Sequence, residues 1–189
     1  MISKNKSMII QPTKNMGLKI SGKNNDKNEV TVLFNPEGRQ KGEIVCFTNA
    51  DAVDKKLSET TNALIIQSPG EYEKMGVFVQ SLPFDKNIIY YLEFEGIKLL
   101  HLGKIDKILE EKILDPFDGI DILFVALNDK TENLINRIEP KIFIPIDYTS
   151  KNVKLLKDLG LSSNEVLDKF SIKRKELPEK DTKGILLKF

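Results

Sequence analysis

The sequence predicts an α/β fold in which a meander of short strands gives way to alternating strands and helices. Three observations predict it. Short β-branched runs separated by Lys/Asn/Gly-rich turns fill positions 8–66, and strand-like runs continue to 102. Two nearly continuous apolar runs, 120–126 and 141–146, read as strands buried on both faces. Between and after them stand segments with apolar residues at helical spacing. Strand, helix, strand, helix in that order demands a crossover-connected sheet with helices against it.

In chain order, Met8-Ile9-Ile10, Gly17-Leu18-Lys19-Ile20, Val30-Thr31-Val32-Leu33-Phe34, Ile44-Val45-Cys46-Phe47 and Leu64-Ile65-Ile66 read as strands. The turn Gly22-Lys23-Asn24-Asn25-Asp26 separates the second from the third. Residues 75–82, 87–93 and 97–102 continue the strand pattern, the last two joined at Glu95-Gly96. Residues 105–114 place Ile105, Ile108, Leu109 and Ile113 at helical spacing and stop before Pro116, which predicts a helix. A strand follows at 120–126, a helix at 131–138 ended by Pro140, a strand at 141–146, and a helix at 153–159 closed by Gly160. No internal repeat, low-complexity tract or long linker interrupts the 189 residues, so one domain over 1–189 is expected, large enough to close a core without staples.

Composition narrows the function classes. With 29 basic against 28 acidic residues the net charge is +1, so no global field drives the chain towards nucleic acid or an anionic membrane. Cys46, the single cysteine, sits in an apolar strand, forms no internal disulfide and fits a reducing compartment. Nothing nearby would lower its pKa, so it reads as buried filler. The first seven residues are followed by three apolar ones, too few for a secretory segment or a membrane span. A cytoplasmic protein is expected.

The most informative stretch is residues 42–54. An apolar strand runs into Thr48, and polar side chains then fall at Asn49, Asp51 and Asp54, with Val53 between the last two. Downstream, Ser68-Pro69-Gly70-Glu71-Tyr72-Glu73-Lys74-Met75-Gly76-Val77 resembles the Gly-Pro-Gly-Glu-Tyr-Glu-x-x-Gly-Val stretch of small members of the metallo-β-lactamase superfamily, a group known as zinc-dependent hydrolases. His101-Leu102-Gly103-Lys104 is similar to their His-Leu-Gly-Asp turn. Asp121-Ile122-Leu123-Phe124-Val125 and the run from Glu139-Pro140-Lys141 to Ile144-Pro145-Ile146-Asp147-Tyr148 resemble two further family segments, and the tail through Glu176-Leu177-Pro178 fits as well. The resemblance implies a four-layer αββα sandwich of two mixed β-sheets with helices on both outer faces, and a zinc site built from loops on one edge.

The residues at the implied zinc positions depart from the family pattern. The family's His-x-His-x-Asp-His loop falls on Asn49, Asp51, Val53 and Asp54. A later histidine falls near Pro83-Phe84-Asp85, the shared carboxylate on Lys104, the last histidine on Asp147, and an earlier Asp-Pro on Asn35-Pro36. The whole chain holds one histidine, His101, outside the loop, so a site of several imidazoles is excluded. Zinc hydrolases need neutral imidazoles and a carboxylate to hold an open-coordinate ion that lowers the pKa of bound water to about 7. The expectation is a degenerate site over Asn35, Asn49, Asp51, Asp54, Asp85, Lys104 and Asp147, without catalytic residues and without a cofactor, in which the Lys104 ammonium pairs with Asp51, Asp54 or Asp147.

Each of these residues also has a plain reading. His101 ends an apolar strand and suits a structural or surface imidazole. Asp51 and Asp54 would open a short helix, whose dipole favours acids at its start. Lys104 fits an exposed turn, and Pro69-Gly70 a tight turn entering a strand. Lys173-Arg174-Lys175 reads as a solvated face without the interleaved aromatics that stack bases. Three functional classes follow. The first is a metal-free relative kept as a binding or structural module, with a homo-oligomer or another protein as partner. The second is a hydrolase whose Asp51, Asp54, Asp85 and Asp147 take magnesium, manganese or calcium. The third is a nucleic-acid binder, which the near-zero charge disfavours.

Overall fold

The computed structural model describes residues 7–14, 17–38, 40–49, 62–105, 107, 109–148 and 150–189. In chain order the strands are β1 (Met8–Pro12), β2 (Leu18–Lys23), β3 (Glu29–Phe34), β4 (Ile44–Cys46), β5 (Leu64–Ile66), β6 (Gly70–Lys74), β7 (Val77–Phe84) and β8 (Asn87–Phe94). They continue as β9 (Ile97–His101), β10 (Ile122–Val125), β11 (Ile142–Pro145), β12 (Val166–Leu167), β13 (Phe170–Ile172), β14 (Lys183–Gly184) and β15 (Leu186–Leu187). The α-helices are α1 (Glu111–Leu114), α2 (Thr131–Ile138) and α3 (Val153–Asp158).

Two large mixed sheets result. The first runs β13-β1-β2-β3-β4-β5, with β1, β2 and β3 antiparallel and β3, β4 and β5 parallel. The second runs β14-β11-β10-β9-β8-β7-β6, a meander from β6 to β9 that turns parallel through β9, β10, β11 and β14. Strand alternation sends Ile10, Ile20, Val32 and Phe34 of the first sheet against Val79, Tyr90, Leu92, Leu99 and Phe124 of the second, forming the core between them. Tyr90 crosses this apolar layer. Its Oη lies 2.8 Å from the carbonyl oxygen of Phe47 and 2.9 Å from that of Ile66, sharing its proton between the two.

The outer face of the second sheet is apolar too, and the three helices lie on that side. Leu134 and Ile135 of α2 join Leu123, Val125 and Leu100, with Ile113 of α1 and Leu156 of α3 at the margin. On the first sheet, Leu33, Val45 and Phe47 form a separate outer cluster with Ala63 and Ile65. The helix expected from Asp51 onward falls outside the described residues. At the end of the parallel strands away from the site, Asp121 is buried, accepting from the Lys98 backbone N–H at 2.9 Å and pairing with Lys141 Nζ at 2.6 Å.

The strands expected over 8–66, α2 and β10 stand where the pattern puts them, but those first strands are not a meander throughout, since β3, β4 and β5 run parallel. Of the helix expected over 105–114, α1 forms, while the described residues 105, 107, 109 and 110 are not helical. Ile105 and Leu109 are buried as their spacing suggests, but their carbonyl oxygens accept side-chain donors, Asn128 Nδ2 and Arg137 Nη1, both at 2.6 Å. Those carbonyls are the acceptors a helix would have used. The strand expected from Met75 begins two residues later. Met75 (φ 53°) and Gly76 (φ 77°) instead make a two-residue hairpin turn, and the strand that Pro69-Gly70 enters is β6, Gly70–Lys74.

Candidate functional site

Several loops meet at one edge of the sandwich, beyond the C-terminal ends of β3, β4, β9, β10 and β11. Asn35, just after β3, has φ 45°, a conformation that an asparagine tolerates better than most residues. Its Nδ2 donates to Thr48 Oγ1 at 2.9 Å, and its Oδ1 accepts the Thr48 backbone N–H at 2.9 Å. The Asn35 N–H donates to the Cys46 carbonyl. This lock joins the ends of β3 and β4. From Thr48 the contact passes to the second sheet: its carbonyl accepts the Ile88 N–H at 2.9 Å, and Asn49 forms an isolated antiparallel bridge with Asn87.

The next layer is the turn after β9. Gly103 has φ 67°, and a Cβ there would come within 3.2 Å of Thr48 Cβ, so both the backbone and the packing call for glycine. Lys104 follows. Its Nζ lies 2.9 Å from Asp147 Oδ2, with side-chain exposures of 68% and 31%, so this ion pair sits at the mouth of the edge rather than in the core. Asp147 itself has φ 63° and directly follows β11 and Ile146. Asn87 Nδ2 donates to the Lys104 carbonyl at 3.3 Å. Lys107 pairs with Asp85 in the β7–β8 turn at 2.9 Å, and the Lys107 ammonium holds that carboxyl below its usual range. A shallow cavity of about 380 Å³ opens alongside, lined by Asn49, Gln67, Pro83, Asp85, Asn87 and Ile88.

Beneath this floor lies His101, fully buried, its ring stacked on Phe34 at 4.4 Å and tilted against Phe124 at 5.6 Å. The Gly103 N–H donates to His101 Nδ1 at 3.1 Å. Nδ1 is therefore the acceptor, and Nε2 carries the proton without a partner. Burial pushes the imidazole pKa down to about 3, so the ring is neutral at physiological pH. It is a structural group, not a ligand offered to the edge.

Of the site residues expected from sequence, the structure brings Asn35, Asn49, Asp85, Lys104 and Asp147 to this edge through the contacts just described. Asp51, Val53 and Asp54 lie outside the described residues. Sequence reading missed Thr48, Asn87, Lys107 and Asn128. Asn128 follows β10, and besides holding the Ile105 carbonyl it accepts the Lys130 N–H through its Oδ1 at 2.9 Å. No metal-ligand pattern marks these four, because their work is hydrogen bonding and charge pairing across the chain. Among the described residues, the donors at this edge do not fit zinc. They comprise side-chain amides, a hydroxyl already engaged by Asn35, two carboxylates each held by a lysine, and no imidazole. Among the described residues no group of three or more His, Cys, Asp or Glu is arranged to hold a metal ion.

A family model described as a beta-lactamase superfamily domain matches residues 5–147. Among solved structures the chain is similar to a Thermotoga maritima protein described as a Zn-dependent hydrolase of the metallo-beta-lactamase superfamily, with TM-score 0.74 and 19% identity over 95% of this chain and 99% of that one. It is also similar to the metallo-beta-lactamase fold protein YhfI of Bacillus subtilis, with TM-score 0.56 and 9% identity over 90% and 100% of the two chains. A third match, the E377D mutant of CmlA beta-hydroxylase, has TM-score 0.57 and 8% identity over 92% of this chain and 55% of that one. Among curated proteins, none matches. At these identities the structural likeness speaks for the fold.

Proposed function

The chain belongs to the beta-lactamase superfamily domain family, and from that premise we propose that it is a member without a zinc site, a non-hydrolytic binding or structural module. The observation that carries this reading is the 2.9 Å contact between Lys104 Nζ and Asp147. Lys104 occupies the position at which the family resemblance implies a carboxylate shared by two metals, and Asp147 the position of the last histidine. A fixed positive charge there supplies in permanent form what a bound cation would supply reversibly. It also opposes one: at about 4 Å and an effective dielectric near 20, a lysine and a dication repel by roughly 8 kcal/mol, less at so exposed a site. Without the ion no hydroxide is generated near neutral pH, and His101 is buried away from the edge.

Elemental analysis of protein purified without chelator, with thermal melts in zinc, manganese, magnesium and EDTA, tests the reading. Substoichiometric metal and unmoved melts are expected. One ion per chain with a shift of several degrees would overturn it in favour of a carboxylate-based hydrolase using Asp51, Asp54, Asp85 and Asp147. The lysine's role is checked separately. Lys104→Ala should cost about 0.5 kcal/mol at low salt and nothing in an Asp147→Ala background, as befits an exposed pair. An unchanged stability in Lys104→Ala would remove the electrostatic part of the proposal.

A further inference from the structure

The four ends of the two large sheets differ in what they leave open. β13 and β5, at the ends of the first sheet, are three residues long, and β14, at one end of the second, is two. Such short edges give an incoming strand little to pair with. β6, the remaining end, runs five residues and among the described strands pairs with β7 alone.

The hairpin turn fixes which groups face outward along β6. In a two-residue hairpin the pair flanking the turn, here Lys74 and Val77, exchanges both backbone hydrogen bonds. Alternation makes Tyr72/Val79 and Gly70/Ser81 the next bonded pairs. The N–H and C=O of Glu71 and Glu73 therefore point away from β7, to the open side. The side chains of these two residues project together from the outer face, both exposed, while Tyr72 packs into the core. Glu71 meets Gln80 Nε2 at 3.5 Å, and no described lysine or arginine pairs with Glu71 or Glu73. Next to them, in register with Glu73, half-buried Phe78 stands between that residue and Glu93 of β8. Lys98 lies opposite Glu93 in register, but its Nζ donates to the Asp118 carbonyl, and Glu93 accepts from the Tyr91 hydroxyl.

We propose that β6 is a strand-addition site for an extended basic segment of another protein, one carrying lysine or arginine at alternate positions. The backbone of Glu71 and Glu73 supplies the ladder bonds, and their carboxylates, with Glu93 across Phe78, meet the alternate cations. Phe78 offers its ring to the stem or charge of one such side chain. A second copy of this chain does not suit the edge. Antiparallel self-pairing about Tyr72 sets Glu71 opposite Glu73 of the other copy, and like charges directly opposite destabilise a ladder.

The test uses the full chain and two end-capped octapeptides, one alternating threonine with lysine and one alternating threonine with glutamate. Binding is followed by calorimetry, and the site by amide hydrogen exchange. The lysine peptide is expected to bind and to protect the amides of Glu71 and Glu73. Glu71→Lys/Glu73→Lys should weaken binding roughly tenfold or more, with its melting temperature near that of the parent. Glu73→Pro removes an outward N–H without touching the β6–β7 ladder and should weaken the peptide while leaving that hairpin protected. No binding at millimolar peptide, equal binding of the glutamate peptide, protection elsewhere, or indifference to the double substitution would each overturn the proposal. A concentration-dependent dimer that protects the same amides would assign the edge to a second copy and overturn it as well.

Discussion

Replacing His101 by phenylalanine should change how this protein's stability depends on pH, and the size of the change follows from the burial of the ring. In the folded chain the imidazole pKa is about 3; in the unfolded chain it is near 6.5. The folded state thus refuses a proton that the unfolded state accepts, and between these values the unfolded state binds more protons. Stability therefore falls as pH drops below about 6.5, with a slope approaching 1.4 kcal/mol per pH unit, and the loss is complete near pH 3. At pH 5 the histidine alone accounts for about 2 kcal/mol of destabilisation relative to pH 8. Phenylalanine keeps a ring between Phe34 and Phe124, removes the unpartnered Nε2–H and does not titrate. The assay is urea unfolding of both proteins at pH 8, 7, 6 and 5. Carboxylates contribute alike to both, so the difference between the two free energies isolates the imidazole. Whatever offset the larger ring produces at pH 8, that difference should move by about 2 kcal/mol in favour of the variant by pH 5. Parallel curves would refute the reasoning, since they would mean that the folded imidazole still takes a proton near pH 6.5.

Three other perturbations probe the edge and the core. Asn35→Ala removes the side-chain bonds to Thr48 and leaves alanine at φ 45°, so a loss of about 2–3 kcal/mol in urea unfolding is expected. Gly103→Ala places a methyl 3.2 Å from Thr48 Cβ at a positive φ and should cost about 1–2 kcal/mol, with faster amide exchange at Thr48 and Ile88. Cys46, wholly buried and with its thiol pKa pushed up by that burial, should resist maleimide in the native protein and react at the rate at which the chain opens.

What the sequence revealed divides along the reach of the forces involved. β2, β3, β10 and β11 were legible because alternation and continuous apolar runs are written in neighbouring residues. Helix α2 was legible for the same reason, even though Glu139, not glycine, takes the left-handed position that ends it. Residues 105–114 were misread because the side chains that take the Ile105 and Leu109 carbonyls come from Asn128 and Arg137, far along the chain. Pro69-Gly70 fits a turn entering a strand, but the extent of β6 was not legible, since three of its five residues are exposed and its pattern carries little hydrophobic signal. At the edge, the family resemblance singled out Lys104 and Asp147, with Asp147 one of three acids expected to pair with the lysine. Thr48, Asn87 and Lys107 gave no such signal, since an amide, a hydroxyl or a surface lysine acquires its meaning from a partner that folding brings to it.

Tyr90 has a mechanical consequence. Apolar side chains between two sheets resist separation, but they offer little resistance to sliding, because a methyl that leaves one neighbour meets another. A hydroxyl held between the Phe47 and Ile66 carbonyls is different, since a lateral shift of one sheet past the other must stretch those bonds in a layer that offers no substitute. Phe47 directly precedes Thr48, whose lock with Asn35 shapes the edge, so the pin acts one residue from the loops that matter. A tyrosine in the interior thus adds resistance to shear of one sheet past the other, next to the loops that shape the edge.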